Sequence, residues 1–534
     1  MSLEILIGRP SANAIVVDHL DNAPRVRGFL SHDPGALESY EARAEDVDRR
    51  FGANREHLAG MLRATSEGSA GKLRALADGT GLAVTTGHQA GLFGGPLMGL
   101  YKLLSTVRLA RDLESALDRP VAPIFWVAAD DHDWDEVRRA TLLTPQNEVA
   151  EIALPPASPD APAPPMSERV LGPEVDDALE ALGALLPPND FRDRLLAMVR
   201  SAYRPDATAA AAFGDLLAEL VGRFDVLLVD PSDATVRARA APVLRDEIEH
   251  AEAHDRIFAN RSRELLDAGY GAQIPVLDGG TGLHFMGPLG RERVFMDGDG
   301  FRLRASGTRL GRAELLRAAE EPGRLTAGVG LRPILESAIL PTVAYVGGPA
   351  EVAYFAQIEP LFDEHGVSPQ VVVPRYTVTL VEAKTRKVLD RFGLAPGDFD
   401  RPAHEIGARI LREELPEDVR DALKSLRAAL GQGYGSLSEA AERIDPTLRG
   451  AIGSARNSAL HGVGELEKRI AQHSDAQREI GLQQLRKAEI NLFPAGRPQE
   501  RILNSFQYLA RYGVSLLDDV LAAMGPLVGA GVAG

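Results

Sequence analysis

The sequence predicts a doubly wound α/β core with a parallel sheet, interrupted by insertions and followed by a helical, coiled-coil tail. Three observations carry this. Short, wholly apolar runs alternate with segments of helical periodicity, the pattern of a parallel sheet covered on both faces. Polar motifs stand directly after four of those runs, where open α/β sheets bind their ligands. The stretch from about Asp400 to Ile490 is charged and carries apolar residues at near-heptad spacing.

Along the chain, residues 33–78 start with cap-type residues and continue with helix formers, so 1–80 is expected to be a helical segment packing on the core. LAVTTG (82–87) is a β-branched apolar run ending in Gly. The segment after it has Leu97, Leu100, Leu103, Leu104, Val107 and Leu109 at helical spacing. VAPIFWVAAD (121–130) then completes a strand–helix–strand unit. DVLLVDP (225–231), TVAYVGGP (342–349) and QVVVPR (370–375) read as further strands with helices after them, the last helix beginning near Thr379. This gives a core of about five strands within 81–395. Two insertions interrupt it. One, about 141–222, includes the Pro/Ala loop PPASPDAPAPP; the other, about 272–330, carries LHFM, RVFM and FRLRA between glycines and reads as a small β-rich region. In the coiled-coil segment, 396–490, Ile452, Ala455, Ala459, Leu466 and Ile470 form one narrow stripe that needs a partner, so an antiparallel helical hairpin is expected. Pro446 marks a helix start or kink there. Residues 491–534 end the long helix at Pro494 and return to the core as an amphipathic segment.

Composition narrows the function. The chain has 534 residues, enough for more than one compact unit, and its 45% apolar and 25% charged content is that of a folded protein. A net charge of −17 disfavours nucleic acid or a membrane surface as a partner, although a local cationic cluster can still hold an anionic ligand. With no cysteine in the sequence, disulfides, thiolate metal sites and a cysteine nucleophile are excluded, and any thiol in the chemistry belongs to a substrate. The N-terminus has no basic flank before an apolar run, and no apolar stretch approaches 18 residues. A cytoplasmic protein with no membrane span is expected.

Four motifs can carry chemistry. Thr85-Thr86-Gly87-His88-Gln89, with Gly91, Gly94, Gly95 and Pro96, joins a strand to a helix N-terminus, where backbone N–H groups can approach a phosphate. Its T-x-G-H spacing fits nucleotidylyltransferases, whose His stabilises charge on the transferring phosphate; the competing reading is a tight turn that needs Gly. Asp130-Asp131-His132-Asp133 can act as acid/base groups, orient an amine or bind a metal, and capping of the next helix accounts for one Asp. Gly347-Gly348-Pro349-Ala350-Glu351 opens another helix on which Glu351 and Tyr354 share a face. Arg375 can pair with a substrate carboxylate or phosphate, or with a structural acid. Lys102 can reach an anion from the Gly-loop helix. Lys384-Thr385-Arg386-Lys387 reads as a solvated helix face, and His461 and His473 as surface residues.

Taken together, VTTGHQAGLFGGPLMGLYKLLSTVRLA, FWVAADDHDWDEV, YVGGPAEVAYFAQI, VVVPR and NLFPAGRPQERILN resemble the bacillithiol biosynthesis cysteine-adding enzymes, the BshC cysteine ligase family, over most of the chain. The resemblance implies a Rossmann-like core with connecting insertions and one coiled coil that mediates homodimerisation. It also implies condensation of cysteine with the amine of glucosaminyl malate. The family pattern is T-G-Q-Q where this chain has Thr86-Gly87-His88-Gln89, so His88 is a departure from it.

The expected reaction is amide formation, which requires carboxyl activation, most simply adenylation by ATP or another nucleotide. Gly87, His88 and the helix N-terminus would stabilise phosphate charge. Asp131, His132 and Asp133 would position or deprotonate the amine, and Arg375 or Lys102 would hold the malyl carboxylates. Thr86, Gln89, Gly95, Gly348, Glu351 and Tyr354 would complete the substrate walls; no metal is assigned to the site. Two rival readings are a nucleotidylyltransferase using the T-x-G-H loop and a non-catalytic, dimeric coiled-coil scaffold with a nucleotide pocket.

Overall fold

A computed structural model describes residues 3–10, 13–158, 161–413, 417–472 and 476–528. The chain divides into two compact units: a core unit, Ile5–Thr379 with Glu500–Gly534, and a helical unit, Leu380–Gln499 with the N-terminal residues through Glu4.

Eleven strands of the core unit build the two sheets that frame the site. In chain order they are β1 (Leu62–Ala64), β2 (Leu82–His88), β3 (Val121–Val127), β4 (Leu227–Val229), β5 (Gly280–Gly287), β6 (Gly290–Asp297), β7 (Gly300–Leu303), β8 (Arg309–Leu310), β9 (Leu325–Ala327), β10 (Thr342–Gly347) and β11 (Val371–Pro374). The central sheet runs β11-β10-β2-β3-β4-β1. Neighbours from β11 to β4 are parallel, and the edge strand β1 is antiparallel to β4. Every residue of β3, β10 and β11 is buried, which explains their unbroken apolar sequences: helices cover both faces. The chain leaves β2 toward β3 and β4 on one side and returns through β10 and β11 on the other. The order therefore reverses between β2 and β10, and a crevice opens there at the carboxyl ends of the strands.

Helix α1 (Leu97–Leu117) follows β2 and is buried over most of its length. It tolerates Ser105 and Thr106 in the core because each hydroxyl donates to the carbonyl four residues back, on Tyr101 and Lys102. The 272–330 insertion forms an antiparallel sheet, β8-β7-β6-β5-β9, as its short runs suggest. Burial alternates along β5 and β6, so one face meets the core and the other carries Arg291 and Arg293.

Some expectations need correction. Residues 1–80 are not wholly helical, since they contain a strand at Leu3–Gly8 and the three-residue edge strand β1. The central sheet thus has six strands. The 141–222 insertion is more than a loop: a hairpin, Arg139–Leu143 and Val149–Ala153, precedes three helices, although residues 159 and 160 lie outside the described residues. The segment after Arg375 is first a strand, Thr377–Glu382, and the helix starts at Ala383. The alternating β-branched residues of TVTLVE decide this locally.

In the helical unit, Glu417–Glu442 and Leu448–Gln472 pack side by side across a short connection that contains Pro446. Leu423 and Val463 are the buried seam, and Arg427 pairs with Glu467. The stripe read from sequence is therefore displaced: Leu466 and Ile470 are exposed, Ala455 is exposed, and only Ile452 and Ala459 are half-buried. Lys384 and Lys387 are exposed, as is His461; His473 lies outside the described residues.

Candidate active site

A cavity of about 760 Å³ opens at the switch point. Its walls come from the ends of β2, β3 and β10, the start of α1, and helices α2 (Ala234–Glu249), α4 (Arg332–Ile339) and α5 (Pro349–Glu364). The exposed face of the insertion sheet closes it. Helix α3 (Ala251–Asp267) packs behind, against α5.

At the centre of the crevice, α1 brings Lys102 to Glu351 of α5, with Nζ 2.6 Å from Oε2. Lys102 also donates to the carbonyl of Gly87. Glu351 accepts from Gly348 N at 2.7 Å and from the Tyr345 hydroxyl. Burial works against the Glu351 charge, but Lys102 and these donors outweigh it and hold the carboxyl down to about 2. Burial lowers Lys102 despite its carboxylate partner. Arg332 extends the network, donating to the hydroxyls of Tyr345 (3.1 Å) and Tyr354 (3.0 Å) and to Glu336 (2.8 Å). Glu336 is fully buried and also takes the Thr85 hydroxyl.

His88 ends β2 and faces the cavity beside Lys102. Gly99 of α1 faces the His88 ring, and a Cβ there would make an ordinary van der Waals contact with it at 3.5 Å. Burial first, and Lys102 second, push His88 down to about 4. It is a neutral imidazole at physiological pH, a hydrogen-bonding group and not a cation. Gly87 is fixed by packing, since a Cβ there would meet the Trp126 carbonyl oxygen at 2.9 Å.

At the end of β3, Asp131 accepts from His132 N (2.7 Å) and from the Gln89 side chain (2.7 Å), which ties the β2 and β3 loops together. His132 lines the cavity with its Nδ1 3.4 Å from Arg291 Nη1; burial, then Arg291, lower its proton affinity. Asp130 is more buried than its neighbours, and this desolvation raises its carboxyl. Arg237 of α2 stands 3.7 Å from Asp130, and the Arg237 Nε has no hydrogen-bond partner.

The insertion sheet supplies groups that the sequence did not single out. Arg291 is positioned by Thr326 Oγ1 (3.0 Å) and the Ala327 carbonyl (2.9 Å), leaving Nη1 toward His132. Arg293 and His284 are register partners on β6 and β5, and both line the cavity. Burial drives His284 well below its usual range. Arg291 and Arg293, with Arg237, Arg332 and Lys102, make a cationic wall inside an acidic protein, suited to an anionic ligand.

The structure brings Gly87, His88, Gln89, Lys102, Asp131, His132, Gly348, Glu351, Tyr354 and Arg375 to this one cavity. Three other expected site residues fall outside its lining. The Thr86 hydroxyl donates to the Val346 carbonyl at 2.7 Å and pins β2 to β10. Asp133 caps the short helix Trp134–Val137, accepting from Glu136 N at 3.2 Å. Gly95 sits in a turn at φ +70°, where Asn504 Nδ2 donates to its carbonyl and to those of Leu92 and Phe93. Arg375 does reach the cavity, but its guanidinium is already engaged bidentately by Glu500, at 2.6 and 3.0 Å, with both side chains buried.

The backbone N–H groups at the two helix starts are already engaged, so a phosphate-bearing ligand here would meet side chains and not a phosphate loop. The N–H of Gly348, before α5, is taken by Glu351, and Leu97 N of α1 by the Leu503 carbonyl. The distal Gly turn is held by Tyr203 and Asn504. Among the described residues, Asp130–Asp133 do not converge as a three-donor metal group.

Comparison with known proteins places this geometry among relatives. The model of the BshC N-terminal Rossmann-like domain of bacillithiol biosynthesis matches residues 1–376, and that of the BshC C-terminal coiled-coil domain matches 378–530. A protein of Salinibacter ruber is 33% identical over 96% of this chain and 94% of its own length. One of Koribacter versatilis is 30% identical over 97% and 96%, and one of Chlorobaculum tepidum 31% identical over 82% and 80%. All three carry the name "Putative cysteine ligase BshC".

Proposed function

Because the chain belongs to the BshC family of bacillithiol biosynthesis, we propose that it is a cysteine ligase that joins the carboxyl of cysteine to the amine of glucosaminyl malate. The observation that carries this reading is the switch-point cavity, where a cationic wall and neutral imidazoles stand side by side. A substrate bearing a malyl group has two carboxylates to place, and Arg237 and Arg291 offer the guanidinium edges for them. A nucleoside triphosphate, when bound, would supply the free energy of carboxyl activation. His88 then donates its Nδ1–H, which it shares with the Gln89 carbonyl at 3.2 Å, to the oxygen on which negative charge grows. His132, which burial and Arg291 keep unprotonated, takes the proton from the attacking amine at Nδ1, in place of its 3.4 Å contact with Arg291 Nη1. Asp131 and Gln89 hold the His132 turn in place.

The substrate assignment is tested by steady-state kinetics on Arg237→Gln and Arg291→Gln. Each should raise KM for glucosaminyl malate by roughly tenfold or more, the worth of a charge-assisted hydrogen bond, and leave KM for cysteine within about twofold. Unchanged KM for glucosaminyl malate in both variants would move the malyl group elsewhere.

The helical unit supports a proposed homodimer. Leu426, Leu437, Ile444, Leu448, Leu466, Ile470 and Ile480 are all large, apolar and exposed there, a surface that a second copy would cover. No helix among the described residues is long and apolar enough to cross a membrane.

A further inference from the structure

The insertion sheet carries more positive charge than the cavity uses. Val294 of β6 and Leu303 of β7 are register partners and both are fully buried, so that pair faces the core. Strand alternation puts Arg291, Arg293 and Phe295 of β6 on the opposite side, together with Arg302, the register partner of Phe295, and Arg304 just past the end of β7. Arg304 N donates to the Arg293 carbonyl at 3.0 Å, which extends the ladder by one residue. Arg291 and Arg293 line the cavity, whereas Arg302 and Arg304 lie beyond it and are exposed. The four make one row that starts inside the cavity and ends in solvent.

The row has no acids to balance it. Arg309 of β8, opposite Arg302, is paired with Asp297 at 2.9 Å, but among the described residues none of the four makes an ion pair. The field of Asp255 on α3 and of Glu247 on α2 reaches Arg293, yet both carboxylates are engaged: Asp255 by Gly279 N, Glu247 by His254 and by Gly282 N. Arg293 Nε donates to the Thr281 carbonyl at 3.4 Å, and its two terminal nitrogens have no partner among the described residues. The guanidinium carbons of Arg293 and Arg304 stand 5.7 and 6.0 Å from the centre of the same Phe295 ring. Burial first, and Arg304 second, lower the proton affinity of Arg293. Two unpaired guanidiniums sharing one ring repel each other, in a protein whose net charge is −17, and an anion relieves that repulsion.

We propose that Arg293 and Arg304 hold the β- and γ-phosphates of a nucleoside triphosphate whose α-phosphate and nucleoside lie in the cavity. The nucleotide itself rests on the ligase reading above; the place of its phosphates rests on the row. A lone carboxylate meets one or two guanidiniums, whereas a chain of phosphates matches groups set out about 7 Å per step along a strand. Guanidiniums also take the part that free backbone N–H groups play elsewhere, since those at the starts of α1 and α5 are engaged. When a carboxylate oxygen bonds to the α-phosphorus, the bridge bond to the β-phosphate breaks and its electron pair leaves with pyrophosphate. Arg304 and Arg302 lie on the path by which that product reaches solvent.

The test reads binding, not turnover, on the full chain without cysteine or amino sugar. Calorimetry with ATP should show one equivalent bound, more tightly than inorganic tripolyphosphate, which lacks the nucleoside. Arg293→Gln and Arg304→Gln should each weaken ATP by about tenfold, the worth of a charge-assisted hydrogen bond. Arg63→Gln, an exposed arginine on β1 at the edge of the central sheet, controls for net charge and should change it by less than about twofold. Arg304 is exposed, so its variant keeps the fold and decides the question even if Arg293→Gln does not. Wild-type protein that binds no ATP, ATP affinity unchanged in Arg304→Gln, an equal loss in Arg63→Gln, or tripolyphosphate bound more tightly than ATP each overturns the proposal. Nucleotide binding that depends on Arg304 in a protein that forms no cysteine adduct would sink the ligase reading and keep this site. An adduct formed with a nucleotide KM indifferent to Arg304→Gln would do the reverse.

Discussion

Replacing Glu351 by Gln is the most informative perturbation of the crevice. The carboxylate is held at about 2, against an ordinary value near 4.5, because Lys102, the Tyr345 hydroxyl and Gly348 N all favour its charge over the cost of burial. At about 1.36 kcal/mol per unit, that depression corresponds to about 3 kcal/mol at neutral pH. The sign follows from linkage. A carboxylate with a depressed folded-state pKa stabilises the protein above its unfolded value, and the contribution is lost as pH falls from about 4.5 through about 2. The ion pair as a whole is worth less, since burial lowers Lys102 even beside its partner. Removing one member, however, strands the other in the core, which costs on the order of 3–5 kcal/mol. Glu351→Gln should therefore destabilise the core unit by about 3 kcal/mol, read as a lower denaturant midpoint at unchanged slope. The double variant Lys102→Met with Glu351→Gln should recover more than half of the loss, because a neutral pair leaves no charge unpaired. A Glu351→Gln protein within about 1 kcal/mol of wild type, or a double variant as unstable as the sum of the singles, would refute the account of the pair.

Three further outcomes follow from the same geometry. His88→Ala should lower kcat by roughly a hundredfold, the worth of one preorganised donor, while His88→Gln keeps a neutral donor and should restore most of it; equal losses in both would remove the donor role. Because His88 is pushed down to about 4, the pH profile of kcat between about 5 and 9 should not change between wild type and His88→Gln; a limb near neutrality that vanishes in the variant contradicts this. Arg375→Gln should destabilise by about 3–5 kcal/mol, because it leaves Glu500 buried and unpaired, and Arg375→Gln with Glu500→Gln should recover stability; an effect on KM alone would return Arg375 to substrate binding.

The fold was largely legible because its strands are buried on both faces. IFWV, VAYV and VVV have no reading as exposed strands, and the polar or Gly-containing motifs after them, DDHD, GGP and PR, mark the edge where the cavity lies. Lys102 and Glu351 were legible as candidates because each sits early in a helix that starts at that edge. Two of the reassigned residues share one cause. Gly95 and Arg375 have distant partners that local sequence does not announce, Asn504 and Glu500, whereas Asp133 takes the capping role that the sequence allowed to one Asp. The missed cations share another. Arg291 and Arg293 alternate with Glu292 and Val294, which signals a two-faced strand, but nothing local says that the polar face closes a cavity built more than a hundred residues earlier. In the helical unit, Val463, three residues before Leu466, took the seam with Leu423 and left Leu466 exposed.

The central claim is that this cavity joins cysteine to an amino-sugar malate. Purified chain incubated with cysteine, glucosaminyl malate and ATP, with products resolved by mass spectrometry, tests it most directly. The account predicts an amide-linked adduct that depends on nucleotide, is lost in His132→Ala, and forms more slowly in Arg291→Gln at glucosaminyl malate below KM. Nucleotide-dependent product at wild-type rate in both variants, or release of pyrophosphate without any cysteine adduct, would contradict it.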